Sequence, residues 1–176
     1  GEFSAERAVD AIAPFANWTR PTGSQFNAAA RDAIVRQIQA LGLDPAVQDA
    51  TVIRAARAPR IAELAAVHNV VVRVPGTAST GAILVSGHYD TVPTSVGASD
   101  CASCVAAALE TLRAVLAGPP LRNDLIFLFT DAEEYYIAGA QAFAQQHPWA
   151  ADVRLSLVFE ALGTGGASVL YATSPD

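Results

Sequence analysis

The sequence has no run of basic residues: its 11 Lys and Arg are scattered among 17 Asp and Glu, for a formal net charge of -6. Holding nucleic-acid phosphates takes clustered cations, so neither DNA nor RNA is an expected partner. Nor does any stretch approach the ~20 uninterrupted apolar residues of a spanning helix, so no membrane contact is expected from this segment. Gly1-Glu2-Phe3 lacks the basic and apolar regions of a leader and reads as a cloning remnant, which leaves the compartment open; an exported or membrane-anchored parent is compatible with it. Charged residues make up only 16% against 52% hydrophobic, the reverse of a disordered composition. The 176 residues fit one core, and a single domain over 1–176 is expected.

Cysteine is nearly absent. Cys101 and Cys104 form one C-x-x-C pair, which reads as a redox pair, half of a zinc site or two small buried residues. No other cysteine exists to complete a zinc knuckle.

What is present is periodic. From Ser4 to about Trp18, Ala8, Ile12 and Phe15 recur at helical spacing after a serine cap, and Pro14 is expected to end or kink that helix. Ala29, Ala33, Ile34, Ile38 and Leu41 make a second amphipathic stripe closed by Gly42, after the turn residues Arg20-Pro21-Thr22-Gly23-Ser24. Val47–Arg57, Val70–Val74 and Ile83–Val85 read as strands. Ala102–Leu116 reads as a buried helix stopped by Gly118-Pro119-Pro120. Leu125–Phe129 and Leu155–Phe159 are unbroken apolar runs, the mark of strands covered on both faces, with a helix from about Tyr136 to Gln146 between them. The order implies an α/β fold: a three-layer αβα sandwich with a mixed, mostly parallel sheet.

In such sheets, functional groups gather past the carboxyl ends of the strands. Here the strand ending at Val85 runs into Ser86-Gly87-His88-Tyr89-Asp90, the one ending at Phe129 into Thr130-Asp131-Ala132-Glu133-Glu134, and the one ending at Phe159 into Glu160. Asp100 opens a further loop into a helix. Any one of these residues has a plain structural role, since an acidic pair beginning a helix complements its dipole. Their joint placement on one rim points to a metal or catalytic cluster. His68, just before a strand, and His147, past a helix end where a positive charge suits the dipole, are not assigned to it.

The segments Ile83–Pro93, Gly97-Ala98-Ser99-Asp100, Phe127–Glu134 and Phe159-Glu160-Ala161 with Gly163-Thr164 resemble, in order and spacing, the motifs of metallopeptidase family twenty-eight, the co-catalytic zinc aminopeptidases. The resemblance spans nearly the whole chain, from Arg20 to Tyr171. It implies a zinc exopeptidase that hydrolyses N-terminal peptide bonds with two zinc ions. His88 would bind one zinc, Asp100 would bridge both, and Glu134 and Glu160 would each hold one. Glu133 would be the general base, and Asp90 would accept the other imidazole N–H of His88. The two ions would share a hydroxide of lowered pKa whose proton Glu133 takes and later delivers to the leaving amine. The expected substrate is a peptide, or a small amide or ester.

The sequence also departs from that pattern. The family completes its second zinc with a histidine beyond the fourth motif, and the chain ends at Asp176 before it, so a C-terminally incomplete domain is expected. An unfinished sheet edge would invite pairing between copies of the chain. Cys101 and Cys104 stand where the family usually has an acidic residue and a glycine, Tyr135 and Tyr136 where it has small residues, and Val158 and Leu162 where it has an amide and an arginine. A remodelled pocket follows as an expectation. Two alternatives stay open: a metal-independent cysteine hydrolase with Cys101 as nucleophile and His88 as base, and a non-catalytic binding module on the peptidase fold.

Overall fold

The computed structural model describes residues 1–54, 63–161, 165–167 and 169–174. Helix α1 (Ala5–Ile12) starts at Ser4, whose hydroxyl accepts the Arg7 N–H at 3.3 Å, and ends ahead of Pro14. Helix α2 (Gln25–Ala40) is capped the same way by Ser24 and left through Gly42, whose φ of +83° suits only glycine without strain. Its buried stripe is Asn27, Ala30, Ala33, Ile34 and Ile38, while Ala29, expected within it, is exposed.

Strand β1 (Ala46–Arg54) pairs antiparallel with β2 (Glu63–Val74) from Ala46↔Val71 to Arg54↔Glu63. Residues Ala55 to Arg57 of the strand expected at Val47–Arg57 lie outside the described residues. Strand β2 begins seven residues before the expected Val70, so His68 lies inside it rather than ahead of it. Its first half alternates too weakly to read as a strand, and the pairing with β1 is what extends it.

The remaining elements are β3 (Ala82–His88), a helical turn at Ala98–Ala102 leading into α3 (Ser103–Leu116), β4 (Asp124–Thr130), α4 (Ala138–Gln146), a short turn of helix at Pro148–Asp152 and β5 (Val153–Val158). The strand order is β1-β2-β4-β3-β5. The β4–β3–β5 half is parallel and the β1–β2–β4 half antiparallel. The sheet is thus mixed as expected, with β1 and β2 limiting its parallel share.

Alternation sorts the strands into layers. Val70, Val72, Phe127 and Phe129 face α1, α2 and α3, while Val71, Leu84, Ile126 and Leu128 face Phe143 of α4 and Trp149. Strand β4 is buried throughout, as its apolar run demands. Strand β5 corrects the expectation that Leu155–Phe159 is covered on both faces: Leu155, Leu157 and Val158 are exposed, and among the described residues β5 pairs with β3 alone. No helix among the described residues is long and apolar enough to cross a membrane.

Candidate metal centre and active site

Parallel register brings the tips of β3, β4 and β5 to one rim: His88 lies opposite Thr130, and Ser86 opposite Val158. The loops leaving those tips carry the polar residues. His88 is 2% exposed, and its Nε2 lies 2.9 Å from Asp100 Oδ1, 3.7 Å from Glu160 Oε1 and 4.0 Å from Glu133 Oε2. Its Nδ1 lies 3.2 Å from the Asp90 carbonyl oxygen and 3.4 Å from Asp90 Oδ1, so Asp90 holds the far side of the ring. Burial alone would push the imidazole pKa down, but the hydrogen bond and charge of Asp90 and the charges of Glu160 and Glu133 outweigh it and raise the ring to about 9.

Asp90 is fully buried and does more than orient the ring. Its two carboxylate oxygens accept the backbone N–H groups of Glu133, at 3.0 Å, and Glu134, at 3.2 Å, which ties the loop after β4 to the loop after β3. Burial, with smaller contributions from neighbouring carboxylates, pushes Glu133 and Glu134 above the ordinary carboxylate range. Gly97, at a φ of +57°, turns the chain ahead of Asp100 in a conformation where a Cβ would run into the Thr91 side chain and the Asp100 carbonyl.

Donor atoms of His88, Asp100, Cys101 and Glu160 all lie within 4.8 Å of one another. Ligands around a zinc ion at roughly 2.0–2.3 Å sit roughly 3.3–3.8 Å apart, so the imidazole and the two carboxylates of this group are gathered on the scale of a metal site. Three of the four residues expected to hold metal are therefore brought together. Glu134 stays outside the convergent group, its Oε1 accepting the Val92 N–H at 3.2 Å. The Gly163-Thr164 part of the last motif and Leu162 lie outside the described residues.

Cys101 is paired with Cys104 in a disulfide. The thiol nucleophile that the sequence admits is accordingly tied up, since sulfur bonded to sulfur has no thiolate to offer. His147 also differs from expectation: its Nδ1 accepts the Trp149 N–H at 3.2 Å and burial lowers its pKa, so it caps a turn as a neutral ring. The His68 ring pairs with exposed Asp49 at 2.6 Å and is not part of the convergent group.

Two residues that shape the site escape a reading of the sequence. Arg20, fully buried, donates from its side chain to five carbonyl oxygens, those of Phe15, Trp18, Tyr89, Val96 and Gly97, and its own N–H reaches Thr91 Oγ1 at 2.7 Å. It thereby pins both the loop after His88 and the turn before Asp100, and burial lowers its pKa to about 10. Asp131, fully buried, accepts from Thr22, Asn27, its neighbour Ala132 and the His68 N–H. It anchors a loop in which Ala132, Tyr136 and Ile137 all take positive φ, an arrangement that needs such external support. The signal for both was chemical rather than periodic: a charged residue inside a turn-rich or apolar stretch.

Beside the rim a cavity of about 460 Å³ is lined by apolar side chains including Leu84, Leu128, Ile137, Phe143 and Phe159, with His88, Glu133 and Glu160 on its polar side. Its size suits a small side chain or ligand.

A family model for peptidase family M28 matches residues 69–176. The endoplasmic reticulum metallopeptidase 1 of Mus musculus is 41% identical over 110 residues, which is 61% of this chain and 12% of that protein. The vacuolar membrane protease of Yarrowia lipolytica is 41% identical over 113 residues, 61% of this chain and 11% of that protein. The chain thus spans only about 12% of the length of the curated relatives it matches. Among solved structures, a Porphyromonas gingivalis glutaminyl cyclase superposes with a TM-score of 0.74 at 25% identity, covering 94% of this chain and 62% of that one. A Zn-dependent exopeptidase from Parabacteroides distasonis gives 0.75 at 19% identity over 96% of this chain and 65% of its own, a likeness of fold alone.

Proposed function

The chain belongs to peptidase family M28, and from that premise we propose that it carries the zinc-holding rim of an aminopeptidase that removes N-terminal residues from peptides. The observation that carries this reading is the buried imidazole of His88 facing Asp100 and Glu160 across 2.9 and 3.7 Å, with Glu133 at 4.0 Å. An imidazole held among several carboxylates, with two acids pushed up by burial, is poorly compensated as a structural ion-pair network and suited to a divalent cation.

His88, Asp100 and Glu160 would hold zinc, with Glu134 available to a second ion. When bound, zinc polarises the scissile carbonyl and lowers the pKa of water. Glu133, whose carboxyl burial raises above the ordinary carboxylate range, accepts a proton at its carboxylate and returns it to the leaving amine. Asp90 fixes the His88 ring from behind and, through the Glu133 N–H, sets where that base stands. The apolar cavity beside Glu133 would take the side chain of the residue released.

The test is hydrolysis of short unblocked peptides by the purified protein with and without zinc, compared with the same peptides carrying a blocked N-terminus. Release of the first residue, lost with a chelator and with Glu133→Gln, supports the reading. Cleavage that ignores the chelator, or no turnover with zinc, sinks it, the latter leaving a binding module. Cyclisation of a glutaminyl N-terminus without release of an amino acid would move the assignment to the chemistry named for the structurally similar glutaminyl cyclases.

A further inference from the structure

Cys101 is not needed by the chemistry above, yet its sulfur lies inside the convergent donor group with His88, Asp100 and Glu160. It is fully buried, its Sγ lies 4.0 Å from the carbonyl oxygen of Phe159, the residue before Glu160, and its neighbour in sequence is Asp100. Its disulfide partner Cys104 is 4% exposed and packs against β3 at Gly87, where a built Cβ would lie 2.8 Å from the Cys104 Cβ. Gly87 precedes His88. The disulfide therefore sits directly behind one metal-holding residue and adjoins a second.

We propose that the Cys101 thiolate is a fourth donor to the metal site, and that pairing with Cys104 withdraws it, so that the C-x-x-C pair sets how many protein ligands the metal has. The proposal rests on the zinc reading above. Four protein donors make a closed, tightly holding shell, whereas three leave a position for water or substrate. Only the thiolate coordinates, because a sulfur in a disulfide has lost its charge and most of its donor strength. Reduced protein would hold the ion more tightly in a closed site, and oxidised protein would hold it less tightly with a position open.

The exchange balances with a peroxide as oxidant, small enough to reach a buried sulfur. The Cys101 thiolate attacks one peroxide oxygen, the O–O bond breaks and the sulfur becomes a sulfenic acid as hydroxide leaves. The Cys104 sulfur then displaces the sulfenic oxygen as a second hydroxide, forming the S–S bond; with the two thiol protons the products are the disulfide and two waters. A dithiol reverses it by two successive exchanges, passing two electrons to the protein disulfide and becoming a disulfide itself.

The experiment uses the purified chain stripped of metal, prepared dithiol-reduced and freed of reductant, or oxidised with one equivalent of peroxide, each state verified by thiol titration. Cobalt(II) is the probe. The expected result is a thiolate-to-cobalt charge-transfer band in the reduced protein only, with affinity falling about tenfold or more on oxidation. Cys104→Ser, reduced and never exposed to peroxide, should show the band as the reduced wild type does because Cys101 keeps its thiolate, and Cys101→Ser should lack it and bind cobalt alike with or without peroxide treatment. Equal affinity in the two wild-type states, or a band that survives Cys101→Ser, overturns the proposal while leaving the zinc site standing. Failure of cobalt to bind in any state overturns both.

Discussion

A buried carboxylate on α3 and two half-buried ones at the rim of the sheet have opposite surroundings. Glu110 on α3 accepts from the guanidinium groups of Arg113 and Arg7 and from the Ser4 N–H, and Arg113 above all holds it down at about 2 despite burial. At the rim of the sheet, Glu133 faces the His88 imidazole at 4.0 Å and Glu134 accepts the Val92 N–H, with no guanidinium against either among the described residues, and burial pushes both up. The first cluster is complete without a ligand and pins α1 to α3. The second holds negative charge that a cation would relieve, which is how a site differs from a structural ion-pair network.

Chelation should separate the two clusters most sharply. Removing metal is expected to lower peptide hydrolysis at least about a hundredfold, while far-ultraviolet circular dichroism of the fold held by Glu110 stays unchanged; loss of both together would erase the distinction. Next in size, Arg20→Ala should cost more than about 3 kcal/mol in urea unfolding, since it strips donors from five carbonyls and empties a buried volume. A tolerated substitution would show that the rim loops hold themselves.

Glu110→Gln should lower the melting temperature at pH 7 by several degrees, with the gap to the parent closing as pH falls. The folded carboxyl titrates near 2 and the unfolded one near 4.5, so between those values the folded state binds fewer protons and its advantage is lost on acidification. A gap that is constant down to pH 2 would place the effect in packing rather than charge. The smallest change is expected for Arg31→Ala, which breaks an ion pair with half-exposed Asp32 and should stay within about 0.5 kcal/mol.

The rim was largely legible because apolar runs of fixed length end in polar residues, and parallel strands deliver their ends to one side. Less legible were features made by contacts remote in sequence. Arg20 sits among turn residues, and the carbonyls of Tyr89, Val96 and Gly97 that it serves lie 69 to 77 residues away. The first half of β2 has little alternation and exists through pairing with β1. The exposure of β5 was hidden because an apolar run reports composition, not what lies beside it.

Local chemistry alone thus determined that a helix begins at Ser4, where Pro14 and Gly42 end helices, and which loops carry the imidazole and the acids. Only the tertiary structure decided that His88, Asp100 and Glu160 converge with Cys101 while Glu134 turns to Val92. The physical reason is that strand spacing and side-chain packing fix separations to within an ångström or so, a scale on which metal donors are chosen and on which order along the chain carries no information.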